Sequence, residues 1–196
     1  MKERFLKIAA FCLAIVACTL VAGTQEADYA GVESCKICHN PPGDGTPFKQ
    51  WSESKHAHAI DGLKTDAAIA AAKERGIDGA PHEAWECLRC HVTAFDVETK
   101  RPPAKIAVLQ GVQCETCHGP MSLHVADAKK AKLTKKEIDT SKITVQPTAE
   151  LCVTCHNSES PTWDETRYTR EDGTTTGFDF EQAYAKIQHF KDGKSE

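Results

Sequence analysis

The chain has 196 residues, a formal net charge of −4 at pH 7, 27% charged residues and 40% hydrophobic residues. This length allows one domain or two small ones, and the slightly acidic balance disfavours nucleic acid as a partner. The ten cysteines and nine histidines carry most of the functional information.

The N-terminal segment 1–23 predicts an export signal. Basic residues precede an apolar run over 8–21, which is too short to span a bilayer comfortably and is followed by small residues. Cleavage after Gly23 would leave one domain over 24–196, in the periplasm or outside the cell. The alternative is a lipobox that ends at Cys18, which would tether the mature protein to a membrane through a lipid.

The residues after this segment predict short helices separated by loops. Segment 40–46 is rich in Pro and Gly and predicts a loop. Asp61 or Thr65 is expected to cap a helix that runs to about Arg75 and stops at Gly76.

The second half of the chain continues this pattern. We expect a helix over 121–132, a further helix start at Thr148, and a closing helix over 178–190 with apolar residues at helical spacing. The strongest strand candidate is short, over 106–109. The sequence therefore predicts a mostly α fold with extensive loops and little β-structure.

Four copies of Cys-x-x-Cys-His run through the chain. Their cysteines are Cys35, Cys38, Cys87, Cys90, Cys114, Cys117, Cys152 and Cys155. The histidines that follow them are His39, His91, His118 and His156. Each copy is a signature of c-type haem attachment, in which the thiols hold the porphyrin and the histidine binds the iron. We expect four covalently bound haem c groups, which would supply much of the buried apolar surface and form a haem-packed core.

Zinc knuckles and disulfides are the alternative explanations of the cysteines. Paired Cys-x-x-Cys units also build zinc sites, but such sites do not require a histidine directly after the second cysteine. A disulfide scaffold explains the cysteines and leaves the four histidines unexplained. The regular Cys-x-x-Cys-His pattern favours haem over both.

The remaining histidines are candidates for the opposite, distal face of the irons. They are His56, His58, His82, His124 and His189. Methionine is the usual alternative ligand, but Met1 leaves with the signal and Met121 is poorly placed for the haem held by His118, three residues before it. Ligation by two histidines should therefore dominate, which implies low reduction potentials.

These distal candidates differ in how well they are placed. His124, His189 and His56 are the favoured ligands. His58 is less certain because it lies two residues from His56, so both cannot easily face one iron. His82 is less certain because it lies five residues before Cys87, in a loop too tight to cap the same haem readily.

Longer stretches around the motifs carry a resemblance to a known family. The first runs from Cys35-Lys-Ile-Cys-His to Trp51-Ser-Glu-Ser-Lys-His-Ala-His-Ala, the second is Cys90-His-Val-Thr-Ala-Phe, and the third is Gly111-Val-Gln-Cys-Glu-Thr-Cys-His-Gly-Pro followed by His124. At these residues the sequence resembles the cytochrome c-554 type of tetrahaem electron-transfer cytochromes.

The resemblance implies a mostly α fold with haems in close stacked pairs. It also implies that His124 caps the haem held by His39, that His56 caps the haem held by His118, and that His189 caps the haem held by His156. The haem held by His91 would be five-coordinate, although His82 and His58 are available nearby in this sequence.

An exported electron carrier is the favoured function, with no catalytic residue needed beyond the haems. Its partners would be redox proteins, namely a donor oxidoreductase and an acceptor cytochrome or quinone-linked carrier. A lysine cluster over 129–136 is either a solvated helix face or a docking patch for an acidic redox partner. The alternatives are a small nitrogen-oxide reductase that uses an open haem face, and an oligomeric subunit of an extracellular cytochrome filament.

Overall fold

The computed structural model describes residues 26–40, 46–141, 143–144 and 146–189. The segment 1–23, with its expected cleavage site and Cys18, lies outside these residues. The expected loop over 40–46 is described only at its two ends. In the described part of the chain, no helix is long and apolar enough to cross a membrane.

The architecture is a series of short helices joined by loops, as the sequence predicts. The helices are α1 (Val32–His39), α2 (Pro47–Ser52), α3 (Ala59–Gly62), α4 (Asp66–Glu74), α5 (Trp85–His91), α6 (Cys114–His118), α7 (Ser122–Thr134), α8 (Ala149–Val153) and α9 (Phe180–Tyr184). A 3₁₀ turn spans Val108–Gln110. The prediction of a mostly α fold with little β-structure is confirmed.

Capping residues set the starts of several helices. The Thr65 hydroxyl accepts a hydrogen bond from the Ala68 amide at the start of α4, and Thr148 caps α8 in the same way. Asp179 caps α9, which is shorter than the expected helix over 178–190. Of the two caps considered for α4, Thr65 is the one that is used.

The small sheet lies outside the predicted strand. Strands β1 (Tyr168–Thr169) and β2 (Thr175–Thr176) pair antiparallel, with Tyr168 opposite Thr176. The expected strand over 106–109 is wrong, because this segment enters the 3₁₀ turn and its Leu109 side chain is 75% exposed. Four residues are too few to show the alternation that separates a strand from an extended loop.

The side-chain core is small and lies beside the second motif. Ile60, Leu63, Leu88, Val92 and Ile106 are buried against one another. The cysteine that opens the second motif, Cys87, packs on this cluster. A core of this size is consistent with a cofactor that supplies further apolar surface.

Candidate haem-binding site

Helical geometry presents the thiols of each motif on one side of its backbone. The first three motifs lie in α1, α5 and α6, where residues three apart share a helix face. Cys152 lies in α8, and Cys155 follows in the turn that continues it. All eight cysteines of the motifs are free thiols. Each motif can therefore offer both sulfurs to one porphyrin.

The four motifs come together in two pairs. Cys35 and Cys114 lie close enough that the neighbouring thiol raises the pKa of Cys35, which places the first motif beside the third. Cys155 raises the pKa of Cys90 in the same way, which places the second motif beside the fourth. Close pairs are the arrangement that the family resemblance implies for the haems.

Hydrogen bonds orient two of the motif histidines for metal binding. His91 Nδ1 lies 2.8 Å from the Ala59 carbonyl oxygen, and His118 Nδ1 lies 2.5 Å from the Thr144 carbonyl oxygen. A carbonyl can only accept, so Nδ1 carries the proton and Nε2 keeps its lone pair. Such outer hydrogen bonds are usual for ligating histidines, because they fix the tautomer and the ring orientation.

Three imidazole pairs face each other across gaps that suit an iron ion. The ring centroids of His39 and His124 are 6.3 Å apart, those of His118 and His189 are 6.4 Å apart, and those of His56 and His156 are 6.0 Å apart. Two imidazoles that each bind one iron at about 2 Å from opposite faces have ring centres roughly 6 Å apart. All three gaps therefore fit a bis-histidine haem.

Two of the pairings implied by the resemblance differ from the ring contacts of the structure. His56 faces His156 rather than His118, and His189 faces His118 rather than His156. The C-terminal segment passes the fourth motif earlier, where Phe178 stacks on His156 at 5.4 Å. It then reaches the third motif, where the Gln50 side chain donates to the His189 carbonyl oxygen.

A close backbone approach positions His56. The amide of Val112 donates to the His56 carbonyl oxygen, and the Trp51 indole donates to the Val112 carbonyl oxygen at 2.8 Å. A Cβ at Gly111 would lie 2.6 Å from the His56 carbonyl oxygen, so glycine is required there. The segment before the third motif therefore fixes the position of His56, which is the distal ligand candidate for the haem of the fourth motif.

Unpartnered ring nitrogens identify further histidines that fit a ligand role. Nδ1 of His82, His124 and His189 is buried without a hydrogen-bond partner. Such a nitrogen is costly in a folded protein unless it serves a bound group. Burial lowers the pKa of His56, His156 and His189, which favours the neutral imidazole that a metal requires. These residues fit an iron porphyrin.

His58 does not have the features of a ligand. Its Nε2 lies 3.0 Å from the Ser52 carbonyl oxygen, and its Nδ1 lies 3.3 Å from a carboxylate oxygen of Asp61. The side chain is 60% exposed. Both ring nitrogens are engaged, so the less certain assignment of His58 as a ligand is not supported by its contacts.

The second motif differs from the other three. Among the ring contacts of the described residues, none sets an imidazole opposite His91. His82 lies in the turn before α5, with its Nδ1 buried and unpartnered. The described part of the chain therefore offers three facing pairs for four motifs.

The described residues do not gather ligands as a zinc site would. No group of three or more His, Cys, Asp or Glu side chains is placed there to hold a metal ion. A structural zinc ion is bound by four converging ligands. The imidazoles instead stand in twos, as axial ligation of a flat macrocycle requires.

A buried polar network around the third motif was missed by the sequence analysis. Thr93, Gln113 and Glu115 are at most 2% exposed. The Gln113 side chain accepts from the Val32 amide at 3.0 Å, and the Gln113 amide donates to the Thr93 hydroxyl at 2.6 Å. Thr, Gln and Glu are mostly exposed in proteins, so the sequence holds no signal of this burial.

Comparisons with known proteins agree with the site. Residues 34–119, which hold the first three motifs, match the family model described as cytochrome c554 and c-prime. The chain is 26% identical to cytochrome c-554 of Nitrosomonas europaea over 90% of this chain and 87% of that protein. No solved structure matches.

The site and the comparisons point to the same class. The chain is similar to c-type cytochromes, which are electron-transfer proteins that carry covalently bound haem c. Within that class, the resemblance to the cytochrome c-554 type that the motifs indicate is confirmed.

Proposed function

We propose that the chain is an exported tetrahaem cytochrome that passes electrons between redox proteins through closely packed, mainly bis-histidine haems. The observation that carries the proposal is the set of three facing imidazole pairs beside four paired attachment motifs. When bound, haem supplies a reversible one-electron iron couple whose potential the protein tunes.

The residues of this chain would hold and separate the haems. The eight motif cysteines would form the thioethers, and His39, His91, His118 and His156 would be the proximal ligands. His124, His189 and His56 would be distal ligands. The contacts between Cys35 and Cys114 and between Cys90 and Cys155 support two close haem pairs, across which an electron has only a short distance to travel.

Intact mass spectrometry of the mature holoprotein tests the cofactor load. We expect the mass of the polypeptide plus four haems. The matched variant Cys152→Ala/Cys155→Ala should lose one haem and keep three. A wild-type excess of two haems, or zinc in place of iron, would contradict the proposal.

The same spectra test export and lipidation. Removal of segment 1–23 gives a mature chain that begins at residue 24, whereas lipidation leaves a chain that begins at Cys18 with added acyl mass. We propose the first product. A mature N-terminus at Cys18 would instead make the protein membrane-tethered.

The lysine cluster supports an acidic redox partner. Helix α7 carries His124 near its start, and exposed lysines lie on it and just after it. They are Lys129, Lys130, Lys132, Lys135 and Lys136. Leu133, in their midst, is 86% exposed. A basic surface with an apolar centre, on a chain that is acidic overall, suits docking to an acidic protein.

A second candidate function rests on the second motif. His91 has no facing imidazole among the described residues, and an open sixth position could bind a small nitrogen oxide. Titration of the oxidised and reduced holoprotein with cyanide and nitric oxide tests this. Ligand binding at one of the four haems supports a nitrogen-oxide reductase. Four haems that all stay low-spin support an electron carrier in which His82 occupies the sixth position of the second-motif haem.

A further inference from the structure

Glu115 is a buried carboxylate inside the third motif, between Cys114 and Cys117. It is 2% exposed, and both of its oxygens accept hydrogen bonds from backbone amides. Oε1 accepts from Ala30 and Met121, and Oε2 accepts from Gly31, each at 2.8 Å. With three donors and no acceptor around it, the group fits the charged, acceptor-only form of a carboxylate.

These amides belong to the starts of two different helices. Ala30 and Gly31 precede α1, which ends at His39, and Met121 caps α7, which carries His124. A carboxylate at a helix N-terminus is favoured by the helix dipole and satisfies amides that the helix leaves unbonded. One side chain therefore ties together the two helices whose imidazoles face each other at 6.3 Å.

The charge of Glu115 is offset only in part by its three amide donors, because no cationic side chain in the described part of the chain forms an ion pair with it. The carboxylate near the second and fourth motifs is different in this respect, because Glu159 forms an ion pair with Arg89 at the surface.

We propose that Glu115 positions both histidines expected to ligate the first-motif haem, and that its charge, which no ion pair neutralises, lowers the reduction potentials of the haems on the first and third motifs. This rests on the proposed function, because it requires haem on both motifs. A fixed negative charge in a poorly solvated site favours the oxidised, more positive iron.

Two variants separate the charge from the shape. Glu115→Gln keeps the size and removes the charge, and Glu115→Asp keeps the charge and shortens the side chain. The matched control is Glu33→Gln, which removes a charge from the exposed face of α1, two residues before Cys35. Water and salt screen that exposed charge.

Redox titration followed by optical and electron paramagnetic resonance spectra is the measurement. For Glu115→Gln we expect at least one midpoint potential to rise by about 59 mV, which corresponds to a tenfold larger equilibrium constant for one-electron reduction. Glu115→Asp should keep wild-type potentials but change the resonance of the His39–His124 haem. The control should change neither.

Other outcomes overturn the proposal. If Glu115→Gln and Glu115→Asp shift the potentials alike, the side chain acts through packing alone. If neither variant shifts a midpoint potential or a spectral resonance, Glu115 influences neither the potentials nor the axial ligands. Intact mass is read first, so a missing haem contradicts the proposed function and is not confused with a failure of this inference.

One measurement needs no variant to fold. The ¹³C carboxyl resonance of Glu115 in the reduced wild-type holoprotein at neutral pH should have the shift of an ionised carboxylate, as its three amide donors require. A neutral carboxyl would overturn the role of charge even if no Glu115 variant yields holoprotein.

Discussion

The imidazole rings of His39 and His124 face each other at 6.3 Å with their planes 25° apart. His39 closes the first motif, and His124 lies beyond the turn that follows the third motif. Two segments that are distant in sequence thus supply the two imidazoles that would bind one haem from its opposite faces.

Replacement of His124 tests this relationship. In His124→Ala we expect one of the four haems to become high-spin while all four stay covalently attached, because the thioethers do not depend on the distal ligand. Electron paramagnetic resonance and intact mass read the two effects. His58→Ala is the control, since that imidazole is exposed and its nitrogens are engaged elsewhere. A fully low-spin His124→Ala would remove this residue from the ligand set.

The exchanged pairings predict which haem loses its cap. In a protein that lacks the fourth haem through Cys152→Ala/Cys155→Ala, adding His189→Ala should still create a high-spin haem, because His189 faces His118. Adding His56→Ala to the same background should create none, because His56 faces His156. The opposite pattern in these spectra would restore the pairing that the resemblance implies.

Thr93 is expected to matter more for stability than a surface ion pair. Its buried hydroxyl accepts from the Gln113 amide and the Thr116 hydroxyl, so Thr93→Val leaves both donors unsatisfied. Loss of such contacts costs about 1–3 kcal/mol. Glu159→Gln, which breaks the exposed pair with Arg89, should cost at most about 1 kcal/mol. Equal losses in chemical denaturation of the two holoproteins would contradict this ranking.

Tyr29 reports the charge of Glu115. Burial raises the pKa of Tyr29 above its ordinary value, and the charges of Glu115 and Asp28 raise it further. The folded state then keeps the phenolic proton longer than the unfolded chain. The contribution of Tyr29 to stability is therefore complete below about pH 10 and is lost as the pH rises through the folded pKa.

Glu115→Gln should bring the pKa of Tyr29 closer to its ordinary value. A pH titration of ¹³C-labelled tyrosine in the reduced holoprotein measures the change. Glu33→Gln is the control and should leave the titration unaltered. An unchanged Tyr29 in Glu115→Gln would show that the carboxylate exerts no field at this ring.

The lysines on and after α7 should select the charge of a redox reagent. Oxidation of the reduced protein by anionic hexacyanoferrate(III) should be slowed by Lys129→Glu/Lys132→Glu and by added salt, because the surface attracts anions. Oxidation by a cationic cobalt(III) complex should change in the opposite direction. Lys73→Glu, on α4, is an exposed control that changes one lysine instead of two. If Lys73→Glu changes the logarithm of each rate by half as much as the double variant does, net charge and not the patch governs encounter.

Local signals in the sequence were enough to predict much of the helical structure. Thr65 caps α4 and Thr148 caps α8 because a short hydroxyl side chain reaches an amide within the same turn. The sheet was missed because Tyr168–Thr169 and Thr175–Thr176 are too short to show a period.

The site could be predicted only in part for a physical reason. The attachment residues are encoded by adjacent positions, which sequence displays directly. The choice between His56 and His189 for a given haem depends on how the C-terminal segment passes Phe178 before it reaches the third motif. The role of Glu115 depends on amides more than 80 residues away. Neither of these long-range contacts produces a recognisable pattern among neighbouring residues of the sequence.

The contact of Glu115 with Ala30 spans 85 positions of the chain and so bears on the order of biogenesis. If the chain is exported N-terminus first, as we propose, Cys35 and Cys38 emerge long before residue 115. During that interval the first motif is an open segment that a haem-attaching enzyme can reach. Once the carboxylate has joined α1 to α7, a porphyrin would have to enter between helices that are already tied together. Covalent maturation should therefore precede closure, and an ample early supply of haem should determine the yield of correctly folded protein.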